Sequence, residues 1–286
     1  GALNGGDINA NGAASANAVG DINLNTVSAV NGGIDATSTT GTLSVVNATS
    51  GGTQNLKAQG DVTFSQLTTN GVPTDIGDIN VTSVAGALKG GSINANGAVN
   101  AKGANDVTLA DVTAVTGELD ITSTAGTLAV VNATSGGSQT LSADGDVTFA
   151  KLTTTGAPAN GDSSVTSTSG SVTGGDVTTT GSSDVTGNGV TFGTILAGVN
   201  SSITSAGDIT GDTQIAKGDV RDNAGAGGVP GRLNIKVIGA ANLYLQATTE
   251  LNLPDLRIAK SLELRSNKIT ANVTQVPSGP NPLEMT

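Results

Sequence analysis

Apolar residues alternate with Thr, Ser, Asn or Asp in short stretches along most of the chain. Gly60-Asp61-Val62-Thr63-Phe64 is a typical stretch, and Gly145-Asp146-Val147-Thr148-Phe149 repeats it. An alternation of period two indicates a half-buried β-strand. Gly, Asn, Ser and Asp bound each stretch, and these residues supply turn conformations. The pattern therefore predicts an all-β chain of short strands joined by tight turns, with Val62, Phe64, Val147 and Phe149 facing a core.

The predicted strands recur at a fixed spacing. Starts near residues 21, 41, 60 and 77 lie roughly 20 residues apart. A longer repeat contains them, because residues 41–52 return almost unchanged as residues 126–137, an offset of 85 residues. About four coils therefore make one long repeat. The offset drops to 84 where Val165-Thr166-Ser167 matches Val81-Thr82-Ser83, which indicates that one residue is missing from the loop after Pro158.

Two all-β architectures repeat in this way. Tandem immunoglobulin-like sandwiches have a comparable long period, but they favour an internal aromatic core and show no 20-residue sub-period. Aromatic residues make up 1% of this chain, which has no Trp and a single tyrosine, Tyr244. A right-handed parallel β-helix (a solenoid) of about 20-residue coils stacks at about 4.8 Å and needs neither feature. We favour the β-helix, and the sandwich remains the alternative.

Charge and residue size divide the chain further. Residues 1–215 contain only four basic side chains among many carboxylates, whereas the other eight basic residues follow residue 215. Residues 222–231 are rich in Gly and are predicted to form a loop. After residue 250 the alternation of Leu with polar residues favours strands over a helix. We predict β-helix repeats at 1–85 and 86–170, degenerate coils and a loop at 171–231, and bulkier β-helix coils at 232–286.

Composition also bears on origin. The chain begins at Gly1 without methionine, and its last residues resemble the start of a further strand, so we expect a piece of a longer protein. No signal peptide or membrane-length apolar segment is visible. Cysteine and histidine are absent, and the net charge is −11. An acidic, cysteine-free repeat chain suits export in an unfolded state.

These coils resemble those of a known family. Gly-Asp-Ile-x-Leu and Gly-x-Leu-x-Val coils rich in Asn, Thr, Ala and Gly, together with residues 262–275 and the proline-rich 277–282, are similar to the filamentous-haemagglutinin-like exoproteins of two-partner secretion. The large biofilm-matrix adhesins of that group are the nearer likeness. The resemblance implies secretion through an outer-membrane partner barrel to the cell surface or extracellular matrix. It also implies a stalk-like rod and adhesion to exopolysaccharide, to cells or to like adhesin molecules.

The candidate chemistry is sparse. The Gly-Asp pairs lack the nonapeptide pattern of calcium-binding β-rolls, so we interpret their carboxylates as turn residues that bond their own backbone. Stacked acidic corners remain a possible site for a stray divalent cation. The aspartates of these Gly-Asp pairs are Asp21, Asp61, Asp78, Asp146, Asp176 and Asp208.

Other chemical readings are weaker. A polysaccharide-degrading enzyme needs a carboxylate pair across a groove, and carboxylates are mostly single in the copied coils. We therefore assign no catalytic, cofactor-binding or metal-binding residue, predict no cofactor, and leave the ligand-binding residues unknown. The negative charge argues against nucleic acid, and no membrane insertion is expected. The Thr runs are expected to face solvent, and Asn-x-Ser/Thr triplets such as those at Asn47 and Asn132 fit side chains stacked along a coil corner.

We predict a structural stalk of a secreted, cell-surface bacterial adhesin that attaches cells to one another or to the biofilm matrix, with no enzymatic activity. The alternative is that the segment itself binds exopolysaccharide. If it binds sugar, the negative charge of residues 1–215 favours a neutral glycan or a site at the more basic end.

Overall fold

The computed structural model describes residues 1–72, 75–275 and 284–285. It is a parallel β-solenoid of about 14 turns with coils of about 20 residues. Strands in equivalent positions of successive coils pair in parallel, for example Leu43–Ser50 with Val62–Thr69. Apart from one short 3-10 turn at Ala226–Gly228, the regular structure that is described consists of strands. The predicted β-helix class is confirmed, and tandem antiparallel sandwiches are excluded.

The chain forms two compact units, residues 1–144 and 145–286, which we call unit 1 and unit 2. Neither boundary of the 85-residue copies coincides with this division. Residues 85–86 lie within unit 1, where the strand at Leu88–Ala95 pairs with Val62–Thr69. The strands of unit 1 are β1 Leu3–Asn4, β2 Ile8–Ala10, β3 Ala14–Ala18, β4 Ile22–Ala29, β5 Ile34–Ser38, β6 Leu43–Ser50, β7 Gln54–Ala58, β8 Val62–Thr69, β9 Ile79–Ser83, β10 Leu88–Ala95, β11 Val99–Gly103, β12 Val107–Ala114, β13 Leu119–Ser123, β14 Leu128–Ser135 and β15 Gln139–Ala143.

Unit 2 has the same organisation, but its last coils are formed by longer strands. The predicted strands after residue 250 are confirmed by β25. The strands of unit 2 are β16 Val147–Thr154, β17 Ser163–Ser167, β18 Val172–Thr179, β19 Ser183–Gly187, β20 Val190–Ala197, β21 Ser201–Ser205, β22 Ile209–Ala216, β23 Asp219–Ala224, β24 Arg232–Ala247, β25 Glu250–Arg265, β26 Lys268–Gln275 and β27 Glu284–Met285.

Each regular coil contains one long and one short strand. In the long strand β8, Val62, Phe64 and Leu67 are buried, whereas Ser65 and Gln66 both face solvent. Two successive outward residues interrupt the alternation, so the strand bends there and contributes two faces. The short strand, such as β9, keeps strict alternation and forms a third face. Inward Val, Ile, Leu and Ala from successive coils fill the narrow core.

Four coils make one long repeat, as predicted, but two Gly-Asp segments are placed differently. The four equivalent strands begin at Ile22, Leu43, Val62 and Leu88. Gly77-Asp78 opens the short strand β9 rather than a coil, and Gly175-Asp176 lies at the bend inside β18. The missing residue after Pro158 is confirmed, because Thr69 bonds the carbonyl of Gly77 whereas Thr154 bonds that of Gly161, one residue sooner.

All three phenylalanines pack on a glycine of the following coil. Phe64 is only 7% exposed and is in register with Gly90. A Cβ added to Gly90 would lie 2.1 Å from the ring Cζ, so the glycine makes room for the ring. The same arrangement joins Phe149 to Gly174 and Phe192 to Gly211. The predicted inward orientation of Phe64 and Phe149 is confirmed.

We had predicted that the carboxylates of the Gly-Asp corners bond their own backbone. This prediction is wrong, because they accept hydrogen bonds from the next coil. Asp61 Oδ1 accepts a hydrogen bond from the N–H of Ala87 at 2.8 Å. Asp21 accepts one from the N–H of Thr42 at 2.8 Å and a second from its hydroxyl. These two hydrogen bonds hold the pKa of Asp21 below its usual range, and the bond from the backbone N–H of Thr42 is the larger cause. The other four predicted turn carboxylates bond later N–H groups in the same way, with Asp78 to Ala98, Asp146 to Ser171, Asp176 to Thr194 and Asp208 to Arg232.

A buried serine completes several of these corners, such as the one at Asp61. Ser83 Oγ donates to the carbonyl of Gly60 at 2.8 Å and accepts from the N–H of Gly86 at 3.1 Å. Because Gly60 precedes Asp61 and Gly86 precedes Ala87, the serine and the aspartate join the same two coils. We call this arrangement the Ser–Asp clasp. Three further clasps have the serine and aspartate pairs Ser38 and Asp21, Ser123 and Asp106, and Ser167 and Asp146.

In unit 1 the clasp occurs at every second coil. In unit 1 the corner position before the long strand reads Asp21, Thr42, Asp61, Ala87, Asp106 and Thr127 in successive coils. Carboxylates therefore lie two coils apart, roughly 10 Å, rather than stacking directly at about 4.8 Å. This spacing reduces like-charge repulsion. Each 85-residue copy thus consists of two pairs of coils, and we call each pair a two-coil unit.

Some polar residues predicted at the surface lie inside. Thr69, Thr154 and Thr179 are buried, which corrects the expectation that the Thr runs face solvent throughout. The hydroxyls of Thr69 and Thr154 donate to loop carbonyls, as described above. Gln54 is also buried, and its Nε2 donates to the carbonyls of Ala48 and Thr68. The two threonine hydroxyls thus satisfy loop carbonyls, whereas the Gln54 amide bonds carbonyls of residues within β6 and β8.

The predicted loop at 222–231 is wrong for its first residues. Asp222, Asn223 and Ala224 belong to β23 and pair with Leu245–Ala247 of β24. The loop that follows contains Gly225, Gly227 and Gly228, all with positive φ. The bulkier coils after it carry their charges in alternating order, since Arg232 lies 3.3 Å from Asp208 and Lys268 lies 2.6 Å from Glu250. The boundary at residue 286 and the proline-rich 277–282 lie outside the described residues.

Candidate functional site

The short-strand face of unit 2 changes character toward its carboxyl-terminal coils. On β17 and β19 its outward side chains are small, including Ser164, Thr166 and Thr186. From β23 onward they become large and planar. An open groove lies at this change, and its outward side chains form two rows, the first with Ser202, Arg221, Tyr244 and Glu263 and the second with Thr204, Asn223, Gln246 and Arg265.

Tyr244 and Arg221 form the most structured part of this groove. The guanidinium carbon of Arg221 lies 4.5 Å from the centroid of the tyrosine ring. Arg221 also forms an ion pair with Asp219 at 3.0 Å. A cation over an aromatic face is stabilised by the ring quadrupole. The parallel register fixes this pair, because Arg221 and Tyr244 are direct neighbours in β23 and β24.

The charges of the groove are balanced locally. Arg265 pairs with Glu263, just as Arg221 pairs with Asp219. Hydrogen bonds from Asn242 and Arg221, with the Asn242 bond the larger cause, lower the pKa of Asp219. Asp219 therefore remains ionised at neutral pH. The groove offers amides, hydroxyls, carboxylates and guanidinium groups, but its cations are already neutralised.

Unit 1 presents a different surface, made of amide ladders. Asn80 Nδ2 donates to Asn55 Oδ1 at 2.9 Å, and Asn55 Nδ2 donates to Asp35 Oδ1 at 2.8 Å. Asn132 at a bend donates to Asp111 at 2.7 Å. Stacked amide ladders reinforce parallel coils. The triplets at Asn80 and Asn132 therefore have a structural role, and Asn132 stacks at its corner as predicted.

The acidic corners do not converge on a cation site. Within the part of the chain that the structure describes, no group of three or more Asp or Glu side chains is arranged to hold a metal ion. The physical reason is the clasp, which separates successive carboxylates by two coils and directs one oxygen of each to a backbone N–H. Direct stacking of these carboxylates, which we had considered for a stray divalent cation, is not observed.

The chain matches no family model, no curated protein and no solved structure in the three comparisons. In the described parts of the chain, no helix has both the length and the hydropathy needed to cross a bilayer.

Part of this groove was predictable from the sequence. Tyr244 stood out as the single tyrosine, and the more basic end had been favoured for sugar binding. Its neighbours Arg221, Gln246 and Arg265 were not singled out. Gln246 follows Tyr244 by two residues on the same strand, whereas Arg221 and Arg265 lie about one coil away in sequence, so only the strand register reveals that these two arginines share its face.

Proposed function

We propose that this chain is a structural stalk segment of a secreted, cell-surface bacterial adhesin that mediates attachment between cells or to a biofilm matrix. The observation that supports it most directly is the Ser–Asp clasp, which joins successive coils in addition to the β-ladder. Solenoids of this kind are stabilised mainly by contacts between nearest-neighbour coils. When a spacer is under tension, the force acts on the interfaces between its coils. An added bond between coils strengthens these interfaces.

The remaining parts of the proposal rest on the resemblance of the coils to two-partner-secretion exoproteins. They are export through an outer-membrane partner barrel, location at the cell surface or in the extracellular matrix, and association with exopolysaccharide or like adhesin molecules. We assign no catalytic role to the chain and propose no nucleic-acid partner or membrane insertion.

A second candidate function is direct binding of exopolysaccharide in the unit 2 groove. Tyr244 with Arg221 favours it, since sugar sites combine an aromatic side chain with planar hydrogen-bonding groups that orient the ligand. Because Asp219 and Glu263 neutralise the two guanidinium groups, an uncharged polysaccharide suits the groove better than a polyanion. This function is compatible with a stalk that contacts the matrix along its side.

One experiment separates the two functions. The protein is displayed on cells, and attachment to matrix polysaccharide is measured for wild type and for the double variant that combines Tyr244→Ala and Arg221→Ala. Asp184→Asn, an exposed residue two coils earlier on the same face, is the control. A stalk predicts attachment within twofold of wild type in all variants. A loss of tenfold or more in the double variant, with equal display and unchanged attachment of the control, identifies the groove as the binding element and contradicts a purely structural stalk.

A further inference from the structure

Asp222 occupies a core position of unit 2 that aliphatic residues fill in the adjacent coils. It is in register with Ile203 of β21 and Leu245 of β24. Its exposed fraction is 3%, and it is the one titratable side chain among the buried residues that the structure describes. A carboxylate at such a position loses its hydration, and this favours the neutral form.

Gln214 lies beside Asp222 and also replaces an aliphatic residue, since its register neighbours are Ile195 and Ile238. Its Nε2 donates to Asp222 Oδ1 at 3.1 Å and to Ser201 Oγ at 2.9 Å. Two buried oxygens remain without a hydrogen-bond partner, Asp222 Oδ2 and Gln214 Oε1. Both are acceptors when the carboxyl group is ionised, so neither can satisfy the other.

Among the side chains that the structure describes on these strands, no cation faces the carboxylate of Asp222. The charged side chains of the strands packed against it point outward: Asp219 and Arg221 on its own strand, Asp212 on β22, and Arg232 and Lys236 on β24. Each of them is paired with another of this set or with Asp208. Desolvation is the largest cause that raises the pKa of Asp222 to about 7, against opposing hydrogen bonds from Gln214 and the backbone of Ile203.

We propose that Asp222 and Gln214 form a buried proton-binding pair, in which a neutral carboxyl group and the amide bond each other reciprocally. The amide N–H donates to Oδ1, as the structure shows, and the added proton on Oδ2 is donated to Gln214 Oε1. One proton therefore satisfies both orphaned oxygens. When the proton leaves, two acceptors and an unpaired charge remain in an apolar core.

This pair makes the stability of the groove-bearing coils dependent on pH. The folded pKa lies above that of the unfolded chain, so the stabilisation is complete below about pH 4 and is lost as pH rises to about 7. The other shifted carboxylates, Asp21, Asp75, Asp106 and Asp219, have lowered pKa values and act in the opposite sense at more acidic pH. Because Arg221 and Asn223 flank Asp222 on β23, proton release loosens the strand that carries one wall of the groove.

The test uses the full chain and two readouts. Hydrogen exchange of amides in β22 and β23 measures local opening between pH 5 and pH 8, corrected for the intrinsic exchange rate. The opening constant of wild type is expected to rise by about tenfold per pH unit up to pH 7. Asp222→Asn, which keeps a neutral pair, is expected to remove this slope. Asp184→Asn, an exposed control, is expected to keep it, and the amides of unit 1 should show none.

The second readout needs no variant. At pH 6 an infrared spectrum of the wild-type chain is expected to contain the carbonyl stretch of a protonated carboxyl group, which disappears above pH 8. Failure of Asp222→Asn to fold therefore leaves the proposal testable. Absence of the protonated carboxyl band at pH 6, or an equal slope in wild type and Asp222→Asn, overturns it.

Discussion

Single residues in this chain act in pairs that span two coils. The phenylalanine–glycine pairs illustrate the principle, because each ring fills the space that a glycine of the next coil leaves open. The sequence predicted that Phe64 and Phe149 face inward, since each follows a valine at strand spacing. It did not predict the glycine partners, because the number of residues between ring and glycine differs from one pair to the next as the corner loops vary in length.

Replacement of either member of a pair is expected to be costly. Phe64→Ala leaves a cavity and should lower the free energy of unfolding by about 3–5 kcal/mol. Gly90→Ala should also destabilise, because its new Cβ would meet the ring at 2.1 Å. The double variant Phe64→Leu with Gly90→Ala should be less destabilised than the sum of its single variants. Denaturant unfolding of wild type, Phe64→Leu, Gly90→Ala and the double variant measures this coupling. Strict additivity of the free energies of unfolding would contradict the pairing.

The corners, as elements, carry much of the specificity of the stack. The aspartates were visible in the sequence as turn residues, but a turn pattern does not reveal which coil accepts the bond. The serines were not singled out, although Ser-x-x-Gly recurs at Ser38, Ser83, Ser123 and Ser167 in alternate coils. Alternation with Ala58, Gly103 and Ala143 at the equivalent positions is the signal that separates buried corner serines from exposed ones.

Removal of one clasp hydroxyl tests this element. Ser83→Ala leaves the carbonyl of Gly60 and the N–H of Gly86 without their side-chain partner, and it should cost about 1–2 kcal/mol. Ser65→Ala at an exposed bend is the control and should change stability by less than about 0.5 kcal/mol. Urea unfolding at neutral pH measures both. Equal effects of the two substitutions would show that the clasp does not stabilise the corner.

For the molecule as a whole, the class of fold followed directly from the sequence. The period-two alternation predicted the strands. The 20-residue spacing, together with the small number of aromatic residues, predicted the solenoid. The buried polar pair of unit 2 did not follow, because Asp222-Asn-Ala-Gly has the composition of a turn and only the register places it in the core. The two-coil unit was also hidden, since two such units sum to the more visible 85-residue copy.

The two-coil unit predicts which deletions the fold tolerates. Deletion of residues 42–86 joins Gly41 to Ala87, so Asp21 meets the N–H of Ala87 in place of that of Thr42. Deletion of residues 42–60 joins Gly41 to Asp61 and places two corner carboxylates in adjacent coils, about 4.8 Å apart. We expect the longer deletion to be the more stable of the two at pH 7 and low salt.

Thermal unfolding followed by circular dichroism compares these two proteins with the full chain. The difference between them should shrink in high salt or at pH 3, where the carboxylate repulsion is screened or removed. A shorter deletion that is as stable as the longer one under all conditions would contradict the role of alternation.

The alternation of clasps also constrains how a gene for such a chain can change in length. Unequal recombination between similar coding segments adds or removes whole coils. Among the alternating corners of unit 1, an exchange that shifts the chain by an odd number of coils brings like carboxylates together, whereas an even shift restores every clasp. Heritable length variation in this protein is therefore expected to occur in steps of two coils, so that the 85-residue copy is itself the product of an allowed step.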